Sequence, residues 1–241
     1  MSTERQQQAR EWLRSDSGQP RVKLCGMFRM EDVDAVAQAQ PDLCGFIVGF
    51  PKSHRSVTPE QLARLGNHLL AYEEAGMICS GGVCRMPRTI YRVGVFVDYP
   101  LDALVDLVKQ GAVDLVQLHG AETNAYIEEL RQRTGVGIIQ AFRVREPADV
   151  QRAEASLADM VLLDNGQGTG QQFDWDLVSA VHRPFMLAGG LGPENVAEAV
   201  EEVRPWGVDM SSGVETDKLK DPEKMAAAVE AVRAAGKRWR S

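Results

Sequence analysis

Short apolar runs alternate with amphipathic stretches from residue 21 to residue 236, and this alternation constrains the fold more than any other feature. An apolar run followed by an amphipathic helix is typical of a βα unit, and repeated units predict a parallel sheet. Most of the runs, such as residues 43–48 and 160–163, lack polar alternation, which predicts strands covered on both faces. Strands are predicted at eight segments: 21–25, 43–48, 91–97, 114–118, 137–143, 159–164, 184–188 and 206–211.

Helical patterns follow these runs, and several of them begin with a recognisable start signal. Thr58-Pro59-Glu60-Gln61 combines a capping hydroxyl with a first-turn proline, and Gly192-Pro193-Glu194 is similar. Helices are predicted at 30–40, 58–75, 100–110, 122–134, 146–157, 174–182, 192–203 and 221–235. Eight short units favour an α/β fold with a single (β/α)8 TIM barrel over an open doubly wound sheet or two smaller α/β domains.

Two segments fall outside the repeated units. Residues 1–20 are predicted to be an N-terminal extension whose leading helix packs on the barrel, and residues 21–241 the barrel catalytic domain. Residues 76–90 form an insertion before the third strand and contain Cys79 and Cys84. A structural zinc site needs four ligands, and its paired ligands usually stand closer in sequence. We therefore expect a surface insertion with two free thiols and no metal.

Composition limits the class of protein and its partners. The chain of 241 residues is 44% hydrophobic and 25% charged, which suits one sizeable core. Its net charge of −7 argues against nucleic acid and anionic membranes as partners. No apolar run approaches a membrane span, and the first residues are too polar for a signal peptide. We expect a cytoplasmic protein with reduced cysteines.

Four predicted strands end in residues suited to acid–base chemistry or anion binding. In a parallel barrel these ends converge on one face, which brings the Cys25 thiol and the Asp164 carboxyl group into one pocket. Glycines and hydroxyls after the seventh and eighth strands predict phosphate binding by Gly189, Gly190, Ser211, Ser212 and Gly213. Taken alone, Cys25 also suits a core position and Asp164 a loop cap. These residues predict a phosphosugar site without selecting a substrate.

Several short motifs occur in order along the chain: Val22-Lys23-Leu24-Cys25-Gly26, Pro51-Lys52-Ser53-His54-Arg55, Val116-Gln117-Leu118-His119-Gly120, Gly168-Thr169-Gly170 and Ser211-Ser212-Gly213-Val214-Glu215. Together, from residue 21 to about residue 232, they resemble the phosphoribosylanthranilate isomerase family of tryptophan biosynthesis. The resemblance implies an Amadori rearrangement of N-(5-phosphoribosyl)anthranilate to 1-(2-carboxyphenylamino)-1-deoxyribulose 5-phosphate. It implies no metal and no organic cofactor.

The resemblance also implies roles for individual residues. Asp164 matches the family's general acid and Cys25 its general base, while Arg55 matches an arginine beside the anthranilate carboxylate. We expect His119 and Asp209 to line the substrate pocket. The implied partner is a small phosphosugar, and the chain is expected to be a monomer or a homodimer.

Two other functions remain open from the residues. One is a different phosphosugar isomerase or epimerase on the same barrel, although the Cys25 and Asp164 pair differs from a two-carboxylate site. The other is a non-catalytic barrel that binds a phosphoanion or a partner, because one fold hosts many activities. A test of turnover separates the catalyst from the binder.

Overall fold

The strands and helices of the chain follow one another in regular alternation. A computed structural model of the protein describes residues 3–16, 18–76, 78–80, 83–164, 177–178 and 180–239. Its strands are β1 (Arg21–Cys25), β2 (Leu43–Val48), β3 (Ser56–Val57), β4 (Ile78–Ser80), β5 (Val83–Arg85), β6 (Tyr91–Phe96), β7 (Leu115–Leu118), β8 (Gly137–Arg143), β9 (Met160–Asp164), β10 (Phe185–Ala188), β11 (Gly207–Met210), β12 (Glu215–Thr216) and β13 (Leu219–Lys220). Its helices are α1 (Glu4–Leu13), α2 (Met30–Ala39), α3 (Pro59–Glu74), α4 (Leu101–Lys109), α5 (Asn124–Thr134), α6 (Pro147–Glu154), α7 (Val196–Val203) and α8 (Pro222–Arg238).

Eight parallel strands of the described residues close into a barrel. Their order is β1-β11-β10-β9-β8-β7-β6-β2, and β2 pairs in turn with β1. Each of the eight strands overlaps a segment that the sequence predicts, so the predicted (β/α)8 barrel is confirmed. The parallel arrangement gathers the carboxyl ends of all these strands at one face.

The barrel strands are buried on both faces, which explains their unbroken apolar runs. Along β9, Met160 and Leu162 point into the barrel and join the inner cluster of core residues. Val161 and Leu163 point outward and pack in the layer between the barrel and the helices. Because both directions lead to apolar surroundings, the sequence has no reason to alternate.

The helices α2 to α8 correspond to seven of the eight predicted barrel helices. The remaining prediction, over residues 174–182, lies partly outside the described residues, because 174–176 and 179 are not among them. The predicted start of α7 is wrong, because the helix begins at Val196 rather than near Pro193. The Asn195 side chain accepts a hydrogen bond from the Gly192 amide and donates one to the Gly190 carbonyl. These bonds hold residues 190–195 in a turn before the helix.

The helix α1 covers the end of the barrel opposite the carboxyl ends of the strands. Ala9 and Leu13 are fully buried in the inner cluster of core residues. Gln6 Nε2 donates hydrogen bonds to the carbonyls of Val108 (2.8 Å) and Val113 (2.9 Å). Since Val113 precedes β7, the helix lies at the amino ends of the strands. The division into an extension of residues 1–20 and a barrel domain of residues 21–241 stays a prediction.

The insertion of residues 76–90 contains the antiparallel hairpin of β4 and β5, in which Cys79 stands opposite Cys84. The side chains of this hairpin and the predicted motif Gly168-Thr169-Gly170 lie outside the described residues. None of the helices within the described part of the chain is long and apolar enough to cross a membrane.

Candidate functional site

A cavity of about 250 Å³ opens at the carboxyl ends of the barrel strands. Nine of the ten predicted site residues line it, namely Cys25, His119, Asp164, Gly189, Gly190, Asp209, Ser211, Ser212 and Gly213. They come from five barrel strands and the loops that follow them. The predicted acid and the predicted base therefore share one cavity with the predicted phosphate loops.

The Cys25 thiol is held close to the strand β2. Cys25 is 6% exposed and is the last residue of β1. A Cβ atom placed on Gly45 of β2 would lie 2.7 Å from Cys25 Sγ and 3.2 Å from Lys23 Cε. Glycine is therefore required at position 45, because any side chain there would displace the thiol or the lysine stem.

The ionisation of Cys25 depends on two opposing effects. Burial raises the pKa of the Cys25 thiol, whereas the charge of Lys23 and a hydrogen bond from it act to lower this pKa. Burial dominates, so the pKa is raised from the ordinary thiol value. Lys23 therefore favours the thiolate, but burial outweighs its effect.

Lys23 and Asp209 form an ion pair below the thiol, inside the barrel. Lys23 Nζ lies 2.8 Å from Asp209 Oδ1, and the lysine side chain has no solvent exposure. The two residues are partners across the parallel pair β1 and β11. Burial acts to lower the pKa of Lys23, but the Asp209 carboxylate and Cys25 outweigh burial and raise it. Lys23 therefore stays protonated beside Cys25.

Asp164 ends β9 on the cavity wall and lies near His119 at the end of β7. His119 Nε2 is 3.8 Å from Asp164 Oδ2, and His119 Nδ1 is 3.2 Å from Gln117 Nε2. Burial lowers the pKa of His119, and the Asp164 carboxylate only partly opposes this change. A neutral imidazole thus stands between the acid candidate and a buried amide.

The loops after β10 and β11 form the predicted phosphate site. Gly189 and Gly190 have φ angles of 105° and 65°, which side chains rarely adopt. A Cβ atom on Gly213 would collide with the carbonyl oxygen of Leu191, so the two loops are in direct contact. Ser211 Oγ donates a hydrogen bond of 3.1 Å to the Cys25 carbonyl and fixes the second loop to the end of β1. Close backbone approach is what an anion cradle requires.

Arg55 is the one predicted site residue that does not line the cavity among the described residues. Its Nε and Nη2 donate hydrogen bonds to the two carboxylate oxygens of Glu215, at 2.5 Å and 2.6 Å. Lys220 Nζ lies 2.8 Å from Glu215 and also donates to the Ser211 carbonyl. Burial acts to raise the pKa of Glu215, but Arg55 and Lys220 lower it to about 2. Glu215 therefore links Arg55 to the phosphate loop.

A larger cavity of about 540 Å³ lies at the opposite end of the barrel, beside the end of α1. Two of its charged groups already have partners: Asp159 accepts from Arg10 and Arg131, and Arg183 donates to three backbone carbonyls. Among the described residues, no cluster of three or more His, Cys, Asp or Glu side chains is placed to hold a metal ion. Of these two cavities, the smaller one combines a thiol, a carboxyl group and the loops of the predicted phosphate site.

Sequence reasoning missed three polar residues of the site. Gln117 and Arg143 line the cavity, and Glu215 holds Arg55. A signal for Gln117 exists, since it interrupts an apolar run at the same parity as the inward Leu115. Glu215 lies 160 residues from Arg55, and no local pattern connects them.

Comparison with known proteins agrees with this geometry. A family model described as N-(5'-phosphoribosyl)anthranilate (PRA) isomerase matches residues 83–231. The enzyme of that name from Endomicrobium trichonymphae is 37% identical over 219 residues, which cover 89% of this chain and 98% of the relative.

Solved structures of the same family are also similar to this chain. The phosphoribosyl anthranilate isomerase of Thermotoga maritima superposes with a TM-score of 0.73 at 31% identity, covering 89% of this chain and 99% of that chain. A further isomerase structure, with a TM-score of 0.71, 31% identity and the same coverage, holds reduced 1-(o-carboxyphenylamino)-1-deoxyribulose 5-phosphate. The chain therefore belongs to the N-(5'-phosphoribosyl)anthranilate isomerase family.

Proposed function

We propose that this chain converts N-(5'-phosphoribosyl)anthranilate to 1-(2-carboxyphenylamino)-1-deoxyribulose 5-phosphate, a step of tryptophan biosynthesis. The observation that carries the proposal is that Cys25, Asp164 and the two glycine loops line one cavity. Membership of the isomerase family supports the same reaction. The cytoplasmic location and the monomeric or homodimeric state stay predictions.

Asp164 is the general acid in this proposal. As a carboxylic acid it protonates the furanose ring oxygen, and the bond between C1 and that oxygen breaks. The electron pair of the anilino nitrogen forms a double bond to C1, which gives an iminium ion. His119 Nε2 lies 3.8 Å from Asp164 Oδ2, so the imidazole lines the cavity beside the acid.

Cys25 is the general base, and its thiolate removes the proton from C2. The electrons of the C2–H bond form a C1–C2 double bond, and the iminium nitrogen accepts the displaced pair. The resulting enol loses its hydroxyl proton while C1 gains one, so the aminoketone has the same composition as the substrate. Lys23, buried beside Cys25, supplies the positive charge that faces the thiolate.

Arg55 binds the anthranilate carboxylate while it remains paired with Glu215. The guanidinium carries five N–H groups, and Glu215 takes one from Nε and one from Nη2. The remaining N–H groups of Nη1 and Nη2 point in a common direction and can bind a second carboxylate end-on. Glu215 therefore positions the arginine without occupying all of its donors.

An assay of turnover tests this function. Freshly prepared N-(5'-phosphoribosyl)anthranilate loses its fluorescence when it isomerises, and the purified protein is expected to catalyse that loss. Cys25→Ala and Asp164→Asn should each reduce kcat at least 100-fold, the usual effect of removing a positioned acid or base. Cys44→Ala is the matched control, because Cys44 is fully buried on the adjacent strand and packs in the outer core layer.

The control should lose stability and keep its kcat. Full turnover in Cys25→Ala or Asp164→Asn would contradict the assigned role. A protein that binds the reduced product analogue but never turns over substrate would instead be a phosphoanion-binding barrel.

A further inference from the structure

A buried glutamine on the cavity wall has no part in the chemistry described above. Gln117 is 1% exposed and lies on β7, two residues after the inward-facing Leu115. Val116 and Leu118 point the other way, into the outer core layer. A primary amide at an inward position costs free energy unless both of its ends have hydrogen-bond partners.

Only one end of this amide has a partner. Gln117 Nε2 lies 3.2 Å from His119 Nδ1, whereas Gln117 Oε1 is buried and has no hydrogen-bond partner within the described chain. Exchanging the amide oxygen and nitrogen would move the deficiency from the oxygen to the nitrogen without removing it. Because Gln117 lines the cavity with Cys25 and Asp164, the unsatisfied end is placed to meet a ligand there.

The strand order indicates which part of a ligand reaches this amide. β7 stands opposite β11 in the closed barrel, four strands away in either direction. A ligand whose phosphate lies in the loops after β10 and β11, and whose carbon chain passes between Cys25 and Asp164, extends toward β7. The polar groups along the carbon chain of a phosphoribosyl substrate are hydroxyls. A hydroxyl both donates and accepts a hydrogen bond, so it satisfies either orientation of the amide.

We propose that Gln117 is a substrate-binding residue that hydrogen-bonds a ribose hydroxyl beside the reacting carbons. This inference rests on the proposed function, since that function supplies the phosphosugar. His119 holds the amide from one side, and the sugar completes its hydrogen bonding from the other. Gln117 then selects for a hydroxylated chain, because a deoxy analogue would leave the buried amide unsatisfied.

The test compares affinities in Gln117→Leu and Gln117→Met, two apolar variants of similar volume. Calorimetry measures binding of reduced 1-(2-carboxyphenylamino)-1-deoxyribulose 5-phosphate and, separately, of inorganic phosphate. We expect both variants to lose about tenfold in affinity for the analogue, the effect of one hydrogen bond. Their affinity for inorganic phosphate should not change, since the phosphate loops lie across the barrel.

Gln140→Leu provides the matched control. Gln140 is a buried glutamine on the neighbouring strand β8, and both of its ends are satisfied. Its Nε2 donates to the Glu122 carbonyl at 2.8 Å, and its Oε1 accepts from Ser156 Oγ at 2.5 Å. This variant should lower the thermal midpoint and leave analogue affinity unchanged. The Gln117 variants should instead lower analogue affinity without lowering the thermal midpoint.

Unchanged analogue affinity in either folded Gln117 variant would overturn the proposal. An equal loss of affinity for inorganic phosphate would also overturn it, because it would indicate a general distortion of the site. Turnover by the wild-type protein is measured separately. A wild-type protein that binds the analogue without turnover would refute the isomerase proposal, while the Gln117 comparison would still decide the present one.

Discussion

The replacement Gly45→Ala tests how strictly the barrel positions the thiol. The new Cβ atom would lie 2.7 Å from Cys25 Sγ and 3.2 Å from the Cα of the same residue. An ordinary nonbonded contact is about 3.5–4.0 Å, so the sulfur must move by roughly 1 Å. A displacement of about 1 Å at a reacting group costs roughly 100-fold in rate. We therefore expect kcat to fall about 100-fold. Overpacking should also lower the free energy of unfolding by about 1–3 kcal/mol.

The Gly94→Ala variant separates this effect from overpacking alone. A Cβ atom on Gly94 of β6 would lie 2.6 Å from Phe96 Cε2 and 2.9 Å from Val113 Cγ1, in the outer core layer. We expect a similar loss of stability in urea unfolding but an unchanged kcat in the fluorescence assay below the unfolding transition. Wild-type kcat in folded Gly45→Ala, or equal loss of kcat in both variants, would refute the positioning argument.

Four further predictions concern binding, pH and stability. Glu215→Gln should raise KM about tenfold or more with a smaller change in kcat, because Arg55 loses the charged partner that orients it. Steady-state kinetics measures both constants, and a fall in kcat with an unchanged KM would contradict this role of Glu215. The same carboxylate has its pKa lowered to about 2 in the folded protein, so its contribution to stability is present above about pH 4.5 and is lost as the pH falls toward 2. The unfolding free energies of wild type and Glu215→Gln should therefore converge between these pH values, and a difference independent of pH would contradict the ion-pair account. Because burial raises the pKa of Cys25, the thiolate absorbance lost in Cys25→Ala should titrate above about pH 8.5, the ordinary value for a thiol; a thiolate already formed at pH 7 would contradict this direction of the pKa shift. Leu13→Ala should lower the free energy of unfolding by about 2–5 kcal/mol, since Leu13 is fully buried under the barrel, and should leave kcat unchanged. Thermal unfolding measures the first effect, and the fluorescence assay measures the second.

The barrel could be predicted from the sequence because its determinants are local. Each strand is an apolar run buried on both faces, as the division of Met160 and Val161 between the inner and outer clusters shows. Residues at the ends of such strands must share one face, so Cys25 and Asp164 could be placed in one pocket. The start of α7 could not, because the side chain of Asn195 maintains a turn where a proline suggests a helix.

The electrostatics of the site could not be predicted from the sequence, because they depend on contacts between residues that are distant along the chain. The pairing of Arg55 with Glu215 joins residues 160 positions apart. The direction of the Cys25 pKa shift follows from the balance between burial and the nearby Lys23, and a sequence supplies neither distance nor depth. The unsatisfied amide of Gln117 likewise becomes visible only when its surroundings are known.

A crystal structure of the protein with reduced 1-(2-carboxyphenylamino)-1-deoxyribulose 5-phosphate would show whether the acid and the base flank the reacting carbons. We expect the phosphate to lie against Gly189–Gly190 and Ser211–Gly213, with C1 and C2 between Cys25 Sγ and the Asp164 carboxyl group. An analogue whose C2 lies beyond reach of the sulfur, or whose phosphate lies away from these loops, would contradict it.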